Sequence, residues 1–164
     1  MDLRPATEDD VDAVHRVATA AWHAAYDEVI GPDAVDRKLA EWYDPDLLAE
    51  SVARDEGHFL VAEDDGDVIA FASGGPSDEA YADAVLARIY ASPDRWGDGA
   101  GTALLDALAD RLAEDGHDDI WLAVMVDNDV GVSFYRARGF EVIEERTVEL
   151  AGEATDDYVM AKDL

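Results

Sequence analysis

The run Ile89-Tyr90-Ala91-Ser92-Pro93-Asp94-Arg95-Trp96-Gly97-Asp98-Gly99-Ala100-Gly101-Thr102 is the stretch of this sequence best equipped for chemistry. A strand ends, a glycine-rich turn follows and a helix begins. Glycines permit close backbone approach and dihedrals that other residues avoid. A helix start leaves N–H groups free and carries a partial positive charge. Together they make a site for a pyrophosphate. Two other phosphate loops are excluded. The Walker A pattern needs a lysine that this loop lacks. The fingerprint GxGxxG is absent, because neither Gly97-Asp98-Gly99 nor Gly99-Ala100-Gly101 has a glycine three residues on. A glycine-rich turn with no ligand is the plain alternative.

A second feature is Asn128 followed by Ser133-Phe134-Tyr135-Arg136-Ala137-Arg138-Gly139-Phe140. Asn128 sits just past a buried strand, where it can cap the next helix. Tyr135 lies seven residues on, about two helical turns, so the two side chains can share a face. A tyrosine so placed can give a proton to a leaving group; a core aromatic with a satisfied hydroxyl is the other reading.

Taken together, these segments resemble the GNAT superfamily of N-acetyltransferases. The likeness covers nearly the whole chain in element order. Trp96 to Leu105 is similar to the family's acetyl-CoA loop, Q/R-x-x-G-x-G/A, with Trp96 where Gln or Arg is usual and Gly99 and Gly101 matching. Asn128 to Phe140 is similar to N-x-x-A-x-x-F-Y-x-x-x-G-F, with Gly131 in place of the common Ala. Leu3-Arg4-Pro5-Ala6-Thr7 with Asp10 resembles a common opening of the family.

The resemblance implies roles position by position. Backbone groups of Ile89 and Ala91, flanking Tyr90 on the splayed strand, would pair with the pantetheine arm of acetyl-CoA. Amides from Gly97 through Asp98, Gly99, Ala100 and Gly101 to Thr102, next to Trp96, would hold its pyrophosphate. Asn128 would contact the cofactor or fix the next helix, and Tyr135 would protonate the departing thiolate. Trp22, Tyr26, Trp42 and Tyr43 lie where the family builds its acceptor pocket. Trp22 fits the apolar periodicity of a core residue, and Tyr26, just past that face, is the better pocket candidate. The general base stays open. Val85 to Ser92 contains no carboxylate and Arg88 is its only charged residue, which leaves Glu79, Asp83 or a chain of waters. The implied reaction is acetyl transfer to a primary amine by direct attack in a ternary complex. The alternatives are a non-catalytic acyl-CoA-binding regulatory module and, more remotely, a sugar- or nucleotide-binding domain.

The elements that must position these residues follow from pattern. Leu3-Arg4-Pro5 reads as a short strand. Thr7 then caps a helix, with Asp10 at the capping-box position. Val11, Val14, Ala18, Trp22 and Ala25 recur at helical spacing until Gly31-Pro32 breaks the run. Two further helices are expected over 34–42 and 46–53. Strands are expected over 58–62, 67–73 and 85–91, with Asp65-Gly66 as a hairpin signal and Gly74-Gly75-Pro76 ending the second of them. A helix buries Leu104, Leu105, Leu108 and Leu112 and ends at Gly116. Residues 120–126 are continuously apolar, as in a strand covered on both faces. A short helix over 132–138 stops at Gly139. Strands over 140–150 and 155–162, turned at Ala151-Gly152, close the chain. The order predicts an α/β fold, and the resemblance makes it a mixed, mostly antiparallel sheet of about seven strands flanked by about four helices, one acyltransferase domain over 1–164.

Composition sets the surroundings. Of 164 residues, 40 are acidic and 12 basic, a net charge of −28 spread along the chain, and only Lys38 and Lys162 are lysines. Such a charge repels itself, and concentrated salt, with a Debye length of about 3 Å at 1 M, removes much of that penalty. The simplest expectation is a cytoplasmic protein of a high-salt cytosol; a basic partner is the alternative. Nucleic acid is not an expected partner, because phosphates call for Lys/Arg clusters. No cysteine, metal-ligand motif, signal peptide or membrane-length apolar run occurs, so no metal and no membrane are expected. The expected partners are a small-molecule or peptide amine and a second copy of the chain in a homodimer.

Overall fold

The computed structural model describes residues 1–150 and 153–164, so the turn expected at Ala151-Gly152 lies outside the described residues. Its elements run β1 Asp2–Pro5, α1 Val11–Ile30, α2 Pro32–Trp42, α3 Pro45–Ala53, β2 His58–Asp64, β3 Asp67–Pro76, β4 Ala84–Ala91, α4 Ala100–Glu114, β5 Asp119–Met125, α5 Asp129–Ala137, β6 Glu141–Leu150 and β7 Glu153–Asp163. Among the described residues the α-helices number five rather than about four. Pro32 and Pro45 open α2 and α3, positions where a missing N–H costs nothing.

The start of α1 is fixed as the Thr7/Asp10 spacing predicts, through a 3-10 turn at Glu8–Asp10. The Thr7 amide donates to Asp10 Oδ2 at 2.7 Å. Arg4 grips the same carboxylate with both arms, at 2.7 and 2.9 Å, and holds its pKa below the usual range.

The sheet order is β1-β2-β3-β4-β5-β7-β6, and every neighbour is antiparallel except β4 and β5. That parallel pair holds register only at Ala84–Ile120 and Val85–Trp121. Beyond those two pairs the strands part, leaving a V that opens toward Ala91 and Met125. Against β3, the register steps from Ser73–Arg88 to Gly74–Leu86, so Ala87 bulges out of β4. A bulge reverses which face the following side chains take. Leu86 therefore sits with α4, whereas Tyr90 sits with α1. Gly74, Gly75 and Pro76 belong to β3 instead of ending it, since all three pair with β4, and position 74 calls for glycine because a Cβ there would lie 2.6 Å from the Val85 carbonyl oxygen.

Each face of the sheet has its own core. Helices α1–α3 cover one, with Val14, Trp22, Tyr26 and Leu48, and Tyr43 just past α2, against Phe59 and Phe71 of the sheet. Helix α4 covers the other with Leu104, Leu105, Leu108 and Leu112 against Leu60, Ala72 and Leu86. The expectation that β5 is covered on both faces holds for Leu122 and Val124 and fails at Ala123, which is exposed on the α1 side. Helix α1 packs against β3 and β4 and leaves the middle of β5 open.

Candidate functional site

The mouth of the V is built from the glycine-rich turn. Gly97 and Gly99 both take φ of +89°, a region closed in practice to side chains with a Cβ. A Cβ at either would meet nothing within 4 Å, so the space above the turn is open. Turn bonds from Asp98 to Arg95 and from Ala103 to Gly99 leave the amides of Ala100, Gly101 and Thr102 at the start of α4 without intrahelical acceptors. Gly101 has a different reason to be glycine. It is helical, and a Cβ there would lie 3.3 Å from the Phe134 ring. The turn thus fits a pyrophosphate: free donors, a helix start and clear space.

Charge around the turn is arranged more closely than the sequence suggests. Arg95 does not face the turn's open side. It donates to Asp98 at 2.7 Å and to Asp64, tying the turn to β2 and holding the Asp64 carboxyl below its usual pKa. The cation at the start of α4 is Arg138, which donates to Thr102 Oγ1 at 3.0 Å and to the Phe134 carbonyl at 2.8 Å and lies 3.7 Å over the Phe134 ring. Sequence reasoning missed it. The available signal was an arginine one turn beyond Phe134, next to the Gly139 that ends α5.

Trp96 is half exposed, and its indole N–H donates to the Ala91 carbonyl at 2.9 Å, so the tryptophan closes the end of β4. Ile89 and Ala91 pack toward α4. Tyr90 turns the other way, with its ring 5.9 Å from Trp22 and 6.0 Å from Phe71.

Asn128 caps α5, accepting from the Gly131 amide at 2.9 Å, and its Nδ2 donates to the Tyr26 hydroxyl at 3.2 Å. Gly131 leaves room for this, since a Cβ there would lie 2.7 Å from Nδ2. The ring of Tyr135 packs with Phe140 on the α4 side at 5.8 Å. Its hydroxyl nevertheless feels Tyr26 and Tyr43 of the α1 side, and burial pushes its pKa well up. A residue that packs on one face and senses the other lies across the parted strands. Among the described residues its hydroxyl makes no hydrogen bond, so it is free to donate.

The α1 side of the V is aromatic. Trp22, Tyr26, Tyr43 and Tyr90 form one cluster, with Trp22 and Tyr26 4.6 Å apart. Trp22 is buried, as its periodicity predicts, and so is Tyr26, whose hydroxyl alone faces the β5–α5 turn. Burial pushes the Tyr43 phenol up to about 12. Beside them Arg88 reaches Ser51 Oγ at 3.4 Å and the Trp42 carbonyl at 3.3 Å. Hollows of about 440 and 470 Å³ flank it. The two carboxylates expected as bases stand elsewhere. Asp83 accepts from the Asp118 amide at 3.0 Å near the closed end of the V, and Glu79 is exposed in the 77–83 loop.

The class these features define is a split-sheet protein, with two neighbouring parallel strands that part beside a glycine-rich turn and a helix start. The family model of the acetyltransferase (GNAT) family matches residues 15–140. An uncharacterised N-acetyltransferase of Bacillus subtilis (strain 168) is 29% identical over 152 residues, 92% of this chain and 86% of that one. Mycothiol acetyltransferase of Mycolicibacterium vanbaalenii is 34% identical over 145 residues, 83% of this chain but 44% of that one. The PaiA N-acetyltransferase of Thermoplasma acidophilum, solved in complex with coenzyme A, superposes with a TM-score of 0.87 at 24% identity over 99% of this chain and 98% of that one. The chain belongs to the acetyltransferase (GNAT) family.

Proposed function

We propose that this protein moves an acetyl group from acetyl-CoA to a primary amine by direct attack in a ternary complex. The observation that carries the reading is the V between β4 and β5, with a helix start ready for an anion on one side and an open floor at Ala123 on the other. Acetyl-CoA supplies an activated acyl group when bound. The amides from Gly97 to Thr102 hold its pyrophosphate with Arg138 as the nearby cation, and backbone groups of β4 at Ile89 and Ala91 pair with its pantetheine arm. Asn128 fixes α5, and Tyr135 gives its phenolic proton to the sulfur. Residues 1–164 act as one unit, because both cores share a single sheet.

The surroundings belong to the same proposal. A charge of −28 suits a high-salt cytosol. No helix among the described residues is long and apolar enough to cross a membrane. Val142 and Ile143 are exposed on the edge strand β6, which supports a homodimer, to be checked by sedimentation in molar KCl.

The test is thiol release from acetyl-CoA against a panel of peptide N-termini, amino acids, polyamines and aromatic amines in molar KCl. Release that depends on an amine is expected. Tight coenzyme A binding with no release across the panel would instead identify a regulatory acyl-CoA-binding module.

A further inference from the structure

We propose that Asp157 on β7 takes the proton from the acceptor nitrogen, and that the acceptor's ammonium enters over Ala123 on the α1 face. The inference rests on the acyl-transfer reading above and supplies the proton acceptor that β4 lacks.

Register places the residue. Asp157 lies opposite Met125 of β5 on one side and Arg146 of β6 on the other. Cross-strand partners point to the same face, and Met125 belongs to the α1-side core, so Asp157 points there too. Ala123, two residues back along β5 on the same face, is exposed. Beyond it Trp121 donates from its indole to Ser77 Oγ at 2.7 Å, and the Arg146 guanidinium lies 5.7 Å from the Trp121 ring. The result is a strip of open sheet with Trp121 and Tyr81 at one end and Asp157, near Tyr26, at the other, and with Arg146 reaching from its place opposite Asp157 toward the two rings. Asp157 stands one strand away from β5, about 4.8 Å, within reach of the parted strands directly or through one water.

The charged and titratable groups that face it are few. Arg146 faces it from β6 and the Tyr26 phenol from α1, while Asp156, its neighbour on β7, lies on the opposite face of the sheet. Its carboxylate makes no side-chain hydrogen bond or ion pair among the described residues. Half-buried, it has a pKa raised by desolvation, against a smaller lowering from Arg146. That is the opposite of Asp10 and Asp64, which arginines hold down. A carboxylate left in a poorly hydrated place without a partner suits a visiting ammonium, and its raised pKa makes it a stronger base than an ordinary carboxylate.

The step balances as follows. The ammonium releases one proton to solvent, and the neutral nitrogen's lone pair forms the C–N bond to the thioester carbonyl carbon. The nitrogen, now positive, passes its second proton to Asp157. The C–S bond breaks as Tyr135 gives a proton to sulfur. Asp157 returns its proton to water, Tyr135 regains one from water, and one net proton leaves.

The experiment compares Asp157→Asn with Asp156→Asn, which removes the same charge from the opposite face of β7. Thiol release, coenzyme A affinity and melting temperature are measured from pH 5 to pH 9 in molar KCl. For Asp157→Asn, a rate about 100-fold lower is expected, with unchanged coenzyme A affinity. The rise of rate with pH that follows Asp157 ionisation should be lost. A raised folded-state pKa means the carboxylate costs stability as pH climbs past its unfolded value, so this variant should melt at or above wild type at pH 8. Asp156→Asn should keep the wild-type rate. If wild type turns over and Asp157→Asn matches its rate and pH limb, Asp157 is not the acceptor of the proton. A lower melting temperature in Asp157→Asn would show that the carboxylate serves packing and would equally overturn the proposal. If no amine supports release by wild type, the acyl-transfer reading itself falls and takes this inference with it.

Discussion

The two faces of the sheet solve different problems with different residues. On the α4 side the core is leucine and alanine, and the polar groups offered at the mouth of the V are chiefly main-chain amides. On the α1 side the core adds a cluster of aromatic rings to its aliphatic residues, and the polar groups are phenols, indoles and isolated charges. Backbone donors present the same geometry whatever the side chains, so they suit a ligand that never changes. Side chains can be exchanged one at a time, so they suit a ligand that differs from one relative to the next. The division predicts that substitutions on the α4 side alter cofactor affinity, and that those on the α1 side alter turnover and choice of amine.

Tyr135 straddles the division and gives the largest expected effect. Tyr135→Phe keeps the ring packing against Phe140 and deletes only the hydroxyl. General-acid assistance is worth about 10²–10⁴-fold, and a thiolate is an easy leaving group, so turnover should fall about 100-fold with coenzyme A affinity intact. Stopped-flow thiol release and calorimetric titration separate the two. Wild-type turnover at every pH would reduce the tyrosine to packing and place the whole V on the cofactor side of the comparison.

Next comes Gly99→Val. At φ of +89° a β-branched residue is strained by about 1–3 kcal/mol, so the turn relaxes and the amides of α4 lose their aim. Coenzyme A affinity should drop about tenfold or more, with turnover at saturation little changed. Unaltered affinity in a folded protein would remove the phosphate assignment. Gly101→Ala should cost less, because its Cβ would press only on the edge of the Phe134 ring.

The same division explains what the sequence revealed. The shape of the turn before α4 was legible because glycine alone readily takes a positive φ, as Gly97 and Gly99 do, and the cap of α5 was legible because Asn128 is of a type that caps helices. The helical pattern and the capping pair Thr7/Asp10 were legible for the same reason: local geometry fixes them. Ala123 and Asp157 were not. Their importance comes from a helix that stops short and from a register between β5 and β7, and a carboxylate among 40 acidic residues carries no mark of its own. Nor did the spacing of Tyr26 reveal that its ring is buried and only its hydroxyl is presented.

A smaller effect is expected at Arg138→Gln. The guanidinium is partly exposed at the start of α4, and such a charge contributes about 0.2–1 kcal/mol. Coenzyme A affinity should weaken about two- to fivefold, more at low salt than at high. Equal loss at all salt concentrations would point to lost stacking on Phe134 instead of lost charge.

Group by group, the smallest effect belongs to salt, and it tests both faces at once. Two like charges 10 Å apart in water repel by only about 0.4 kcal/mol, but a net charge of −28 on 164 residues sums many such terms. At roughly 0.01 M the Debye length is about 30 Å, and at molar salt it is about 3 Å, so added KCl removes repulsion between all but adjacent acids. It also screens the favourable pairs, among them Arg4 with Asp10 and Glu63 and Arg95 with Asp98. The basic residues number only 12, and pairs in direct contact are screened less than distant charges. The balance therefore favours the folded state as KCl rises. Cofactor capture should follow the same trend, because an anionic ligand approaches a negative protein through a turn whose Arg95 is already taken by Asp64 and Asp98. Melting temperature and coenzyme A affinity measured from about 0.01 M to a few molar KCl should rise together. Should stability stay flat or fall, the surface is not adapted to salt, and a basic partner becomes the better account of its charge. Should stability rise while affinity falls, attraction at Arg138 outweighs the protein's overall field, and the α4 side is steered by one local cation.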